Sequence, residues 1–162
     1  MLVVVQARSN SIRFPKKILH KIYGKTLIEH VILKINKSKN ISNIVVATSS
    51  CKSDDSLVNI LKKNKILYFR GGLKNVAKRL LSVAEKYNKK YFIRINADSP
   101  LIDFRLIDRS IKILKNSFKK KYDIITNVFP RSFPSGQSVE IIRTTTLKKN
   151  IKKMNKLELE HV

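Results

Sequence analysis

The sequence predicts an α/β fold, a three-layer architecture on a mostly parallel sheet. Three observations predict it. Short apolar runs of strand length alternate with amphipathic stretches of helical period along the whole chain. The first run, Leu2 to Val5, is continuously apolar, as in a strand buried on both faces. Polar and charged segments follow the apolar runs at four places, where an open parallel sheet carries its ligand loops.

In order, Leu2 to Gln6 reads as a strand, followed by a polar, basic loop from Ala7 to Lys17. Thr26 to Asn36 is helical, because Leu27, Ile28, Val31, Ile32 and Ile35 form one apolar stripe. Ile44 to Ala47 is a second strand, ended by Thr48-Ser49-Ser50. Asp54 or Asp55 is positioned to cap a helix whose apolar face is Leu57, Ile60 and Leu61. Ile66 to Phe69 is a third strand, followed by Arg70-Gly71-Gly72. Val76, Leu80, Val83, Ala84 and Tyr87 then give the most regular helical pattern in the chain. Tyr91 to Ile95 is a fourth strand, broken by Asn96-Ala97-Asp98-Ser99-Pro100. Asp103 caps a helix carrying Ile107, Ile111 and Leu114. Asp123 to Thr126 and Val139 to Ile142 are two further strands around a loop with Pro130, Pro134 and Gly136. A basic helix from about Thr145 to Asn155 comes last. No internal repeat or linker interrupts the pattern, so residues 1–162 read as a single domain.

Composition narrows the class. The 162 residues are 43% hydrophobic and 28% charged, which excludes disorder and a membrane protein. No apolar run approaches the roughly 18 residues that span a bilayer. A single Cys51 excludes an internal disulfide framework and fits a reducing compartment. Met1 leads straight into the first strand with no secretory signal, so a cytoplasmic location is expected. The charge is unusual: 35 basic against 11 acidic residues, a formal +24. Nucleic-acid binding is one reading. Compositional drift is the other and is preferred, because lysine supplies most of the charge, Asn and Ile are also abundant, and AT-rich codons encode all three. The basic residues are also scattered, and RRM-type, zinc and helix-turn-helix signatures are missing. Either way, non-specific polyanion binding is expected at low salt and should fade as salt rises.

Three segments carry chemistry. Gln6 to Lys17 places Arg8, Arg13, Lys16 and Lys17 with Ser9 and Ser11 just after a buried strand. Arginine offers a planar fork to phosphate oxygens and lysine a mobile point charge, so the set suits a di- or triphosphate. It is not a Walker loop, because the glycine pattern and the Lys-Ser/Thr ending are absent. A solvated loop in a basic protein is the alternative. In the second segment Asp98 follows a strand in a chain poor in acids. One carboxylate facing a bound triphosphate makes an economical Mg²⁺ site, while a cap or turn role suits Asp103 better. The third segment runs from Thr126 to Glu140, where Arg131 can pair with a substrate carboxylate and Glu140 can bind a hydroxyl or a second metal. Cys51, His20 and His30 read as packing or surface residues.

Taken in this order, the segments resemble the cytidylyltransferases that make CMP-activated acidic sugars. These are the acylneuraminate and CMP-Kdo synthetases and, most closely, the spore-coat polysaccharide biosynthesis protein F type. Gln6, Ala7, Arg8, Ser11, Arg13, Pro15 and Lys17 match the family's opening pattern. Val46-Ala47-Thr48, Arg70-Gly71, and Val76 with Arg79 match the middle segments. Arg94, Ala97, Asp98, Pro100, Leu101, Ile102 and Asp103 match the next. Asn127, Pro130, Arg131, Pro134, Gly136, Val139 and Glu140 match the last loop, and Glu160-His161-Val162 resembles a further E-H-V segment.

The resemblance implies a nucleotide-diphospho-sugar transferase (Rossmann-like) fold and transfer of a cytidylyl group from CTP to an acidic sugar. It implies that Arg8, Ser11, Arg13 and Lys17 cradle the triphosphate, with Arg8 and Lys17 catalytic. Ala7, Thr48, Arg70, Arg79 and Ala97 would complete the nucleotide site. Asn127, Arg131 and Glu140 would face the sugar, and Asp98 would hold Mg²⁺. A homodimer is common among such proteins. Three departures stand out: Lys16 replaces a glycine, Ser138 replaces an acid two residues before Glu140, and relatives continue beyond Val162, so the fold is expected to be C-terminally incomplete. A non-catalytic paralogue or fragment of the family, and a basic nucleic-acid-binding domain, are the alternatives.

Overall fold

The computed structural model describes residues 1–10, 14–116 and 121–160. In chain order the strands are β1 (Leu2–Gln6), β2 (Lys21–Ile22), β3 (Lys25–Thr26), β4 (Asn43–Ser49), β5 (Leu67–Gly71), β6 (Tyr91–Asn96), β7 (Ile124–Thr126) and β8 (Glu140–Arg143). The helices are α1 (Leu27–Ile35), α2 (Asp55–Lys63), α3 (Val76–Lys86), α4 (Phe104–Asn116), α5 (Thr144–Asn150) and α6 (Lys156–Glu160).

β1 lies inside a six-stranded sheet ordered β5-β4-β1-β6-β8-β7. β1 pairs in parallel with β4 and β6, and β4 with β5, while β8 runs antiparallel to both β6 and β7. From β1 the chain builds outward to β4 and β5, then returns to add β6 on the other side. That reversal opens a crevice between the carboxyl ends of β1 and β6, the place where open α/β sheets bind ligands.

The continuous apolar run of β1 has a physical cause. Val3 and Val5 pack on one face with Ile28 and Val31 of α1, Leu57 and Leu61 of α2, and Ile107 and Ile111 of α4. Leu2 and Val4 pack on the other with Ala77, Leu80 and Ala84 of α3 and Leu147 of α5. The alternating side chains of a strand covered on both faces are therefore all apolar.

Local signals place the helix ends. Thr26 and Glu29 form a capping box at the start of α1. Asn75 accepts from the Lys78 backbone N–H at 2.8 Å to start α3, and Asp103 Oδ1 accepts from the Arg105 N–H at 2.9 Å to start α4. Some expectations change. Ile60 is only partly buried and Val58 takes its place on the buried face of α2. The last basic helix stops at Asn150, and α6 forms separately after a turn. The small β2–β3 hairpin was not anticipated. Its turn sets Tyr23 and Gly24 at φ 48° and 77°, and Gly24 was the only signal for it.

Lys16 ends the β1 loop with φ 56° and ψ 21°, the left-handed region where glycine is at ease. The glycine of the family pattern thus has a backbone reason, and lysine holds the same conformation under strain. Left-handed backbone costs a non-glycine residue about 1–2 kcal/mol, and glycine's extra unfolded-state freedom offsets part of that. Lys16→Gly is therefore expected to stabilise the fold by roughly 0.5 kcal/mol, whereas Lys16→Ala gives no gain. Urea unfolding of the three proteins checks this.

Candidate active site

Beside the crevice, between the carboxyl ends of β1 and β4, lies a buried carboxylate. Asp54 is fully buried. It accepts hydrogen bonds from the Ser9 N–H at 2.7 Å, the Thr48 hydroxyl at 2.9 Å, and the Ser49 N–H and hydroxyl at 3.0 and 2.5 Å. One side chain thereby ties the loop after β1 to the end of β4. Asp54 stands at the N-cap position of α2 but makes no side-chain cap bond there, so the expected capping role is corrected: its carboxylate turns to the loops instead. Burial alone would push its carboxyl up, but the bonds from Ser49, Ser9 and Thr48 outweigh that and hold it below the ordinary 3.8.

Arg70 continues the frame. Its Nε and Nη2 donate to the carbonyls of Ser49 and Cys51, both at 2.9 Å, and Nη2 pairs with Asp55 at 2.8 Å. Thr48 and Arg70, both expected at the nucleotide, thus spend their polar groups on this frame. Ala7 and Ala97 are buried, with the Ala7 N–H bonded to Ala47 O of β4 and the Ala97 N–H to Gln6 O of β1.

Arg79 is 2% exposed. Its Nη1 donates to the carbonyls of Gly72 and Leu73 at 2.5 and 2.8 Å, while Nε and Nη2 have no partner. A Cβ on Gly71 would stand 2.7 Å from Arg79 Cγ, so the glycine makes room for this side chain. Burial lowers the Arg79 pKa, and nearby Asp54 opposes the shift. The Ser9 hydroxyl is also buried and unpartnered. Buried polar groups seldom go unpaired. Arg79 Nε and Nη2 and the Ser9 hydroxyl are thus buried polar groups that their protein neighbours leave unpaired, on residues that flank Asp54.

The rim is charged. Lys17 Nζ meets Asp98 Oδ2 at 2.5 Å, joining the loop after β1 to the loop after β6. Arg8 Nη1 pairs with Glu160 Oε1 at 2.6 Å, which brings the end of α6 to the same edge. Arg94 pairs with Glu140 at 2.6 Å and also donates to Gln6 Oε1 at 3.0 Å.

On the sugar side expected from sequence, Asn127 uses both ends of its amide within its own loop, donating to Gln137 O at 2.7 Å and accepting from the Val139 N–H at 2.9 Å. Arg131 is exposed and bridges Val128 through the backbone. Ser11, Arg13, His161 and Val162 lie outside the described residues. Sequence reading named Ser9 only among the polar residues of its loop, and missed its bond to Asp54, the hub role of Asp54, and Glu160 as the partner of Arg8. An acid following the small hydroxyl cluster Thr48-Ser49-Ser50 was the available signal for Asp54.

The six-stranded, mostly parallel α/β sheet is that of the nucleotide-diphospho-sugar transferase fold. Residues 2–161 match the cytidylyltransferase family model, and the chain belongs to that family. The chain is 31% identical to the spore coat polysaccharide biosynthesis protein SpsF of Bacillus subtilis over 116 residues, 69% of this chain and 48% of that one. It is 33% identical to the 3-deoxy-manno-octulosonate cytidylyltransferase of Rickettsia prowazekii over 132 residues, 78% of this chain and 50% of that one. A solved cytidylyltransferase from Leptospira borgpetersenii superposes with a TM-score of 0.91 at 31% identity, covering 99% of this chain and 68% of that one. The fold is also that of a CMP:2-keto-3-deoxy-manno-octonic acid synthetase complexed with CTP, with a TM-score of 0.72 at 17% identity, covering 95% and 78%. The chain spans about half the length of these curated relatives. Among the described residues no helix is long and apolar enough to cross a membrane.

Asp54→Asn keeps the shape but removes the charge and sets an amide donor among donors. It is expected to cost roughly 2–4 kcal/mol at neutral pH. The folded carboxyl lies below its unfolded value, so its stabilisation is full above the ordinary 3.8 and is lost as pH falls through the folded value. The stability gap between wild type and Asp54→Asn, measured by urea unfolding, should therefore narrow as pH drops below about 4. A gap that stays constant with pH would contradict this.

Proposed function

We propose that this chain transfers the cytidylyl group of CTP to an acidic sugar, giving a CMP-sugar and pyrophosphate for surface polysaccharide or glycan synthesis. The observation that carries this reading is the Lys17–Asp98 contact of 2.5 Å across the switch-point crevice. It sets a phosphate-binding cation and a metal-binding carboxylate at one point, between the two loops where the fold binds its ligand. The relatives' names supply the nucleotide and the sugar class.

In this reading Arg8 and Lys17, with Ser11 and Arg13, bind the triphosphate. The unpartnered N–H groups of Arg79 meet acceptors on the nucleotide. Thr48 and Arg70 keep the frame around Asp54 in place, and Ala7 and Ala97 leave room for the ligand against the backbone. Arg131 and Glu140 face the sugar, while Asn127 holds the loop that carries Arg131. Residues 1–162 act as one nucleotidyltransferase domain. The donor set fits Mg²⁺ on one condition. Among the described residues no group of three metal-ligating side chains exists, but Mg²⁺ is commonly held by one or two carboxylates plus substrate phosphates. Asp98 is the residue that would hold it, and the ion would neutralise phosphate charge and orient the oxygens.

The anomeric hydroxyl of the sugar attacks the α-phosphorus in line. The new O–P bond forms as the bond to pyrophosphate breaks, and the hydroxyl proton passes to solvent. Lys17 and Arg8 stabilise the charge growing on the departing pyrophosphate. Such transfer relies on positioning and fixed charge, and no covalent nucleophile is needed.

Thermal denaturation at about physiological salt tests the reading with CTP, UTP, ATP and dTTP, each with and without Mg²⁺. A ligand at 100 times its Kd adds about 2.7 kcal/mol, which raises the melting point of a domain this size by roughly 5–10 °C. The expected result is a Mg²⁺-dependent rise with CTP alone. Equal rises with all four nucleotides that vanish in high salt would mean polyanion binding and would overturn the reading.

A further inference from the structure

We propose that the Lys17–Asp98 pair is a latch that keeps the divalent cation out of the site until the nucleotide arrives. The inference rests on the reading of the site given above and adds an order of events to it. Asp98 offers a single carboxylate, and its Oδ2 is already taken by Lys17 at 2.5 Å. A metal approaching Asp98 in the empty site meets an ammonium charge in contact with its only protein ligand. It finds no further cluster of ligating side chains among the described residues to compensate. Arg8, the other phosphate-binding cation, is likewise held by Glu160 at 2.6 Å.

The latch is made to open. The side chains of Lys17 and Asp98 are 35% and 41% exposed, and ion pairs this exposed contribute little to stability. Lysine carries a point charge on a flexible stem, so it can turn to another anion without disturbing the fold. A triphosphate is a more highly charged partner for Lys17 than one carboxylate. It also brings oxygens that complete the coordination of a hard cation. The partners therefore exchange: Lys17 moves to phosphate, and Asp98 is released to the metal. Metal and nucleotide enter together.

The test uses Mn²⁺ alone as the probe, with the full chain and no nucleotide, and binding is read by electron paramagnetic resonance of the free ion. Removing one positive charge at contact distance should strengthen binding of a divalent ion by about tenfold or more. Lys17→Met is thus expected to bind Mn²⁺ at least about tenfold tighter than wild type, with Lys17→Gln as a second variant in case the first misfolds. Adding Asp98→Asn to Lys17→Met should return binding to the wild-type level. Equal affinity in wild type and both Lys17 variants, including none measurable in any, overturns the latch. So does tight binding that survives Asp98→Asn. Failure here with a CTP-selective thermal shift intact would sink the latch alone, and loss of that shift would sink the underlying reading.

Discussion

The arrangement depends on the buried carboxylate of Asp54. It holds the Ser9 backbone of the loop after β1 and the Thr48 and Ser49 end of β4 on one pair of oxygens. The β1–β4 ladder reaches Gln6 and Ala47, and Asp54 extends that link into the loops beyond it. Arg70 extends the same frame by binding the carbonyls of Ser49 and Cys51. Arg79 then fits beneath, in space that Gly71 leaves free. Asp54 and Arg79 are buried, Arg70 is half-buried, and each is hydrogen-bonded to a neighbouring loop. Arg8, Lys17 and Asp98, by contrast, are part-exposed and held by single ion pairs, Arg8 with Glu160 and Lys17 with Asp98. A fixed base under movable charged groups is what a site needs to hold a large anion in one register.

The excess of positive charge is a background against which the acids are informative. Of 11 acidic residues, Asp54, Asp55, Asp98, Glu140 and Glu160 all bind cationic or polar groups around the crevice and its flanking strands. Other acids make structural contacts elsewhere, such as Glu29 in the α1 capping box and Asp108 with Ser38 and Asn40.

Much of this was legible in the sequence, for identifiable reasons. β1 could be read because a strand buried on both faces has no polar residue to obscure it. α3 could be read because Val76, Leu80, Val83 and Ala84 repeat at helical spacing and Asn75 caps them. The polar loops after β1, β4, β5 and β6 followed from the alternation of strands and helices. Other features depend on contacts between distant segments. Nothing local tells that Glu160 meets Arg8 across 152 positions, or that Lys17 meets Asp98 across 81. Asp54 looked like a helix cap because it does precede a helix, and only the fold shows that Ser9 competes for its oxygens. The left-handed backbone at Lys16 was hidden because lysine does not announce it as glycine would.

The central claim is that the nucleotide sits in the β1–β6 crevice. A crystal structure of the chain grown with CTP and Mg²⁺ tests it most directly. The account predicts the triphosphate between Arg8 and Lys17, acceptor atoms of the nucleotide on the free N–H groups of Arg79, and Lys17 moved from Asp98 to phosphate. Nucleotide bound elsewhere on the lysine-rich surface, with Arg79 still unpartnered, would contradict it.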